Sequence, residues 1–144
     1  MFKKILLPTD GSELSERAIV GAVEFAKALG ASIVGMTVMQ PYSYANLSEY
    51  RPETPEDYEA RVSKVAAERL AKIANSSAQA GVKAQTLTAL SFSPYEAVIK
   101  AAVDNGCDVI FMASHGRRGL DALLLGSETQ KVLTHTTIPV MVYR

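Results

Sequence analysis

The stretch D-N-G-C-D-V-I-F-M-A-S, residues 104–114, decides the fold. A helical pattern stops at Gly106, and a continuously apolar run, Val109-Ile110-Phe111-Met112, follows almost at once. Glycine just past a helix can take the left-handed backbone that closes it. An unbroken apolar run is what a strand covered on both faces requires. The junction recurs twice upstream, as A-L-G-A-S-I-V-G-M-T-V around Gly30 and Q-A-G-V-K-A-Q-T-L-T-A around Gly81. Helices feeding directly into strands imply right-handed crossovers and an α/β fold with a parallel sheet.

Working outward gives strand 3–8, helix 13–29, strand 32–39, helix 55–80, strand 83–90, helix 94–105, strand 108–113, helix 127–135 and strand 139–143. Helix starts are legible as well. Thr54-Pro55 supplies a cap and then proline at the first helical position, where its missing N–H costs nothing. Ser93 with Glu96, Ser127 with Gln130 and, more loosely, Asp10 with Glu13 read as capping boxes. Val62, Val65, Ala66, Leu70 and Ile73 form the apolar stripe of the long second helix, with Glu68 and Lys72 spaced as a pair on its outer face. Gln40–Glu53, with three tyrosines and two prolines, reads as a surface connector or a flap over a ligand.

Ile5-Leu6-Leu7 is continuously apolar like strand four, whereas Lys83–Thr88 alternates. Strands one and four therefore belong at the centre, strand three at an edge, and the winding reverses between strands one and four. Ligands of such sheets sit at that switch point, beyond the carboxyl ends of the strands. Two motif-bearing loops leave those strands: P-T-D-G-S at Pro8–Ser12, and S-H-G-R-R-G-L-D-A-L-L-L-G-S at Ser114–Ser127. Glycines and a helix N-terminus expose N–H groups to an anion, so Gly116, Gly119, Gly126 and Ser127 point to a phosphate-bearing ligand. Arg117 and Arg118 are candidate contacts to outer phosphates. The chain lacks G-x-x-x-x-G-K-[ST] and G-x-G-x-x-G in the first strand–helix turn, which excludes a standard P-loop and a dinucleotide fingerprint.

Composition narrows the remaining choices. At 144 residues, 48% hydrophobic and 21% charged, the chain suits one domain, 1–144, able to bury about two-thirds of its unfolded surface. Fifteen basic and fifteen acidic residues cancel, so no global field draws it to nucleic acid or anionic membrane. A single cysteine, Cys107, leaves no intrachain disulfide and reads as a small buried hydrophobe. Pro8 and Asp10 break the N-terminal apolar run, so no signal peptide or membrane span is expected, and the expected location is cytoplasmic. His115 has no evident carboxylate partner, and neither a metal set nor a nucleophile–base pair emerges.

The pattern A-S-H-G-x9-G-S after a buried strand, with P-T-D-G-S after the first, resembles the universal stress protein family over essentially the whole chain. The resemblance implies an open five-stranded parallel sheet of order 3-2-1-4-5 with helices on both faces, Rossmann-like, and a homodimer joined through the last strand, Val140–Tyr143. Its nucleotide-binding branch carries G-x2-G-x9-G-[ST] and holds ATP or a related adenine nucleotide, ADP or AMP, with Mg²⁺ a plausible companion of the phosphates. Gly116, Gly126 and Ser127 match that motif, and Ala113 replaces its first glycine. A left-handed backbone there would cost alanine about 1–2 kcal/mol, whereas an extended one would be mild.

Asp10 matches the aspartate that contacts ribose, and Val38 the position whose backbone addresses adenine. Pro8, Thr9, His115, Glu128 and Thr129 complete the expected binding set. The implied role is a nucleotide-binding regulator of the stress response, without catalytic residues. Alternatives are a slow ATPase or autophosphorylating protein, using His115, Ser127 or Thr129, and a dimeric module that binds no nucleotide.

Overall fold

The structure, a computed structural model, describes residues 1–43, 53–116 and 125–144. Among these residues strands and helices alternate as β1 (Lys4–Pro8), α1 (Glu13–Leu29), β2 (Ser32–Met39), α2 (Pro55–Gln79), β3 (Ala84–Leu90), α3 (Pro94–Asp104), β4 (Val109–Ala113), α4 (Ser127–His135) and β5 (Val140–Tyr143). All strands pair in parallel, in the order β3-β2-β1-β4-β5. Every expected element is present within one residue of its expected bounds. Gly30, Gly81 and Gly106 have φ of 66°, 72° and 66°, the left-handed closure that their positions after helices demand.

Strand alternation divides the core into two layers. Ile5, Leu7, Ile33, Val109 and Phe111 face α1 and α2, joining Ala18, Ile19, Ala22, Val23 and Ile73. Leu6, Val34, Met36, Ile110 and Met112 face α3 and α4, joining Val98, Ala101, Ala102 and Val132. β1 and β4 contribute to both layers, which explains their continuous apolarity. Gly35 gives α2 its closest approach: a Cβ there would stand 2.8 Å from Ile73 Cγ2. Phe2, Phe25, Phe111 and Tyr143 run as neighbouring rings at centroid spacings of 6.2, 5.8 and 5.9 Å.

Helix ends partly depart from the local reading. Thr54 caps α2 as expected, accepting from Asp57 N–H at 3.1 Å. α1 is capped by Ser12, which accepts from Ser15 N–H, and not by Asp10. Asp10 Oδ1 instead accepts from Ser12 N–H at 3.0 Å, a side-chain turn that shapes the loop before the helix. Ser93 makes no side-chain cap. Its place is taken from another element, because Glu128 Oε2 accepts from Tyr95 N–H at 2.9 Å. The N-cap of α4 is Gly126, so Ser127 is its first helical residue, and Gln130 donates to Leu125 O rather than closing a box. Lys72 pairs with Glu16 of α1 and not with Glu68, since packing brings Glu16 within reach across the helix pair.

Cys107 is 7% exposed, and burial pushes its thiol pKa up to about 11. It is the small buried hydrophobe expected. Among the described residues no helix is long and apolar enough to cross a membrane.

Candidate functional site

The loops after β1 and β4 meet where the winding reverses, and each is fixed by its own hydrogen bonds. Thr9 N–H donates to Met36 O at 2.8 Å, Thr37 Oγ1 donates to Thr9 O at 2.8 Å, and Thr9 Oγ1 lies 3.1 Å from Ser15 Oγ. Gly11, at φ 77°, turns the chain, and its N–H donates to Thr9 Oγ1 at 3.3 Å. These bonds tie the P-T-D-G-S loop to β2 and α1 within the protein itself, so the loop is ordered without help from a ligand.

The second loop is held from both ends. Ser114 N–H donates to Tyr143 O and Gly126 N–H donates to Ser114 O, both at 2.7 Å. The last bond corrects the expectation that Gly126 offers its N–H to phosphate: that donor is already used. Gly126 serves close approach instead, since a Cβ would stand 3.0 Å from His115 Cα and 3.2 Å from His115 Cβ. The first-turn donors left to α4 are the N–H groups of Ser127, Glu128 and Thr129, which have no acceptor within the helix. Gly116 also serves approach, because a side chain there would run into Asp10 Oδ2. Neither glycine has positive φ.

Ala113 continues β4 opposite Tyr143, with no left-handed backbone. The larger strain cost considered for alanine at this position therefore does not apply. Its carbonyl accepts from Thr129 Oγ1 at 3.0 Å, and Thr129 is 3% exposed. The Thr129 hydroxyl thus already donates one hydrogen bond within the protein. His115 Nδ1 lies 3.2 Å from Ser114 Oγ.

These elements enclose a cavity of about 200 Å³ at the switch point. Pro8, Thr9, Asp10, Val38, Ala113, His115, Gly116, Glu128 and Thr129 line it, as expected of a shared site. Gly126 and Ser127 stand outside the lining, at the α4 terminus. Arg117 and Gly119, like Arg118, the leucines 120, 123 and 124, and the flap residues 44–52, lie outside the described residues. Ser15, Pro94, Val98 and Met112 also line the cavity and were not anticipated. Met112 had a signal, as the last core residue before Ala113. Pro94 and Val98 had none, since α3 reaches the site only by packing over β1 and β2 and against α4.

Charge in the lining is acidic among the described residues: Asp10 and Glu128 contribute carboxylates. Glu128 is held by Tyr95 N–H, and Lys131 Nζ stands 3.5 Å from its Oε1. No group of three or more His, Cys, Asp or Glu able to hold a metal ion occurs among the described residues. A larger apolar groove of about 870 Å³ runs between α2 and β3, lined by Tyr58, Val62, Ala66, Leu70 and Thr88 among others. Among the described residues none of the motif residues lines it.

Comparison with known proteins fits this geometry. The model of the universal stress protein family matches residues 1–144. A universal stress protein of Thermus aquaticus is 32% identical, covering all of both chains. The universal stress protein MJ0577 of Methanocaldococcus jannaschii is 28% identical over all of this chain and 96% of its own. The solved structure of MJ0577 superposes with a TM-score of 0.83, covering 99% of this chain and 96% of that one. The universal stress protein of Archaeoglobus fulgidus, solved in complex with dAMP, shares the fold at a TM-score of 0.69 and 16% identity, covering 100% of this chain and 98% of that one. By sequence over its full length, and by the strand order and loops just described, this chain belongs to the universal stress protein family.

Proposed function

We propose that this protein is an adenine-nucleotide-binding regulator of the stress response, in which the ligand biases conformation or partner choice and turnover is slow or absent. One observation carries the reading: two sequence-distant loops converge on a single cavity, with Gly116 bare of a side chain against the Asp10 carboxylate. Asp10 would accept ribose hydroxyls, the backbone at Val38 would address the base, and the first-turn N–H groups of Ser127 to Thr129 would meet phosphate. A cavity of about 200 Å³ is below the usual range of roughly 300–1,000 Å³ for whole small-molecule sites. It suits the nucleoside part, with phosphates reaching outward. Support also comes from the Archaeoglobus fulgidus relative, solved with dAMP.

Any Mg²⁺ would be held by phosphates and water, as magnesium often is. The buried, engaged hydroxyl of Thr129 weighs against autophosphorylation at that residue. We further propose a cytoplasmic homodimer joined through β5, an edge strand whose Met141 is 38% exposed. Equilibrium dialysis of the purified protein against ATP and AMP tests the main reading. Saturable binding below millimolar concentration is expected, and its absence for both nucleotides would overturn it.

A further inference from the structure

Glu128 stands apart from the rest of the cavity wall. Its backbone lies in the first turn of α4, where unpaired N–H groups favour an anion. Its side chain crosses to α3, where Oε2 accepts from Tyr95 N–H at 2.9 Å. The carboxylate therefore sits where two helix N-termini converge, and both dipoles favour negative charge there. The protein's own carboxylate thus lines the cavity beside the first turn of α4, whose N–H groups are those proposed to meet phosphate. Lys131 offsets this charge weakly: the pair is 3.5 Å apart, with side chains 50% and 40% exposed. Asp10 adds a second carboxylate to the same cavity.

We infer that Glu128 is a charge-selecting residue, making the site favour adenine ligands with few phosphate charges over triphosphates. This rests on the adenine-nucleotide reading above. Each added phosphate brings negative charge toward a fixed carboxylate, while the nucleoside part adds none, so the penalty falls on the polyphosphate alone. The carboxylate cannot swing aside without uncapping α3, which holds the repulsion in place.

Isothermal titration of the full chain with adenosine, AMP and ATP, without divalent cations and at fixed ionic strength, compares the wild type with Glu128→Gln. Glutamine can still accept from Tyr95 N–H, so the cap survives and only the charge is lost. ATP should tighten about tenfold relative to adenosine, or ~1.4 kcal/mol, with AMP shifting less and adenosine itself by under about twofold. Glu128→Ala, which also removes the cap, should melt lower yet shift the ligand ranking the same way. An ATP-to-adenosine ratio unchanged in both variants would overturn the inference and leave the nucleotide reading intact. Failure of the wild type to bind any of the three would overturn that reading, and this inference with it.

Discussion

Gly116→Ala is the substitution whose consequences follow most directly from the structure. The added methyl would run into Asp10 Oδ2, so the Asp10 side chain must rotate away. Rotation breaks the bond from Ser12 N–H to Asp10 Oδ1, 3.0 Å long and charge-assisted. Hydrogen bonds to charged groups contribute about 1.5–3 kcal/mol, and partial exposure of this one places the cost near the lower end, about 1.5–2 kcal/mol. For a chain of this size that is roughly 3–8 °C in melting temperature. Rotation also withdraws the carboxylate proposed to accept ribose hydroxyls, so nucleotide affinity should fall about ten- to hundredfold. Thermal unfolding and nucleotide titration of Gly116→Ala, Asp10→Ala and the double variant form the assay. In the Asp10→Ala background the methyl has room, so its stability cost should shrink to under about 0.5 kcal/mol. A methyl that costs as much without Asp10 as with it would refute the reasoning.

Ala113→Gly should destabilise by about 1–1.5 kcal/mol, through strand glycine entropy and a lost methyl, while nucleotide affinity changes under about threefold; a large gain in affinity would show that the methyl obstructs the ligand. Gly35→Ala puts a Cβ 2.8 Å from Ile73 Cγ2 and 2.9 Å from its Cδ1. Overpacking there should cost about 1–3 kcal/mol in denaturant unfolding, and pairing it with Ile73→Val should recover part of that loss. Cys107, with its thiol pKa raised to about 11 by burial, should resist alkylation in the native protein. At pH 8 the thiolate fraction is on the order of one in a thousand, so a native rate within about tenfold of the unfolded rate would contradict the buried placement.

Much of the site was legible because its chemistry is local in sequence. P-T-D-G-S and S-H-G-x9-G-S each sit within a few residues of a strand end, and strand burial patterns bring those ends together. The functions of the individual glycines were not legible. Gly11 and Gly30 turn the chain with positive φ, whereas Gly116 and Gly126 make room for Asp10 and His115. A glycine needed for turning and one needed for clearance look identical in a sequence. Val98 and Pro94 escaped notice for a related reason, since their helix reaches the cavity only after folding over β1 and β2.

The sequence by itself determined the alternation of strands and helices, their bounds to within a residue, the central place of β1 and β4, and which two loops meet at the cavity. Those properties arise from periodicity, from glycine closures such as Gly30, Gly81 and Gly106, and from proline at Pro55 and Pro94, all of which act within a few residues. Tertiary structure alone decided where the polar partners went. Gly126 N–H goes to Ser114 O, Lys72 pairs with Glu16 instead of Glu68, and α3 is capped by Glu128 from α4. The last two of these choices are between a near partner in the chain and a better one in space. Only packing brings the second within hydrogen-bond reach, and at Glu128 it also adds a carboxylate to the cavity wall.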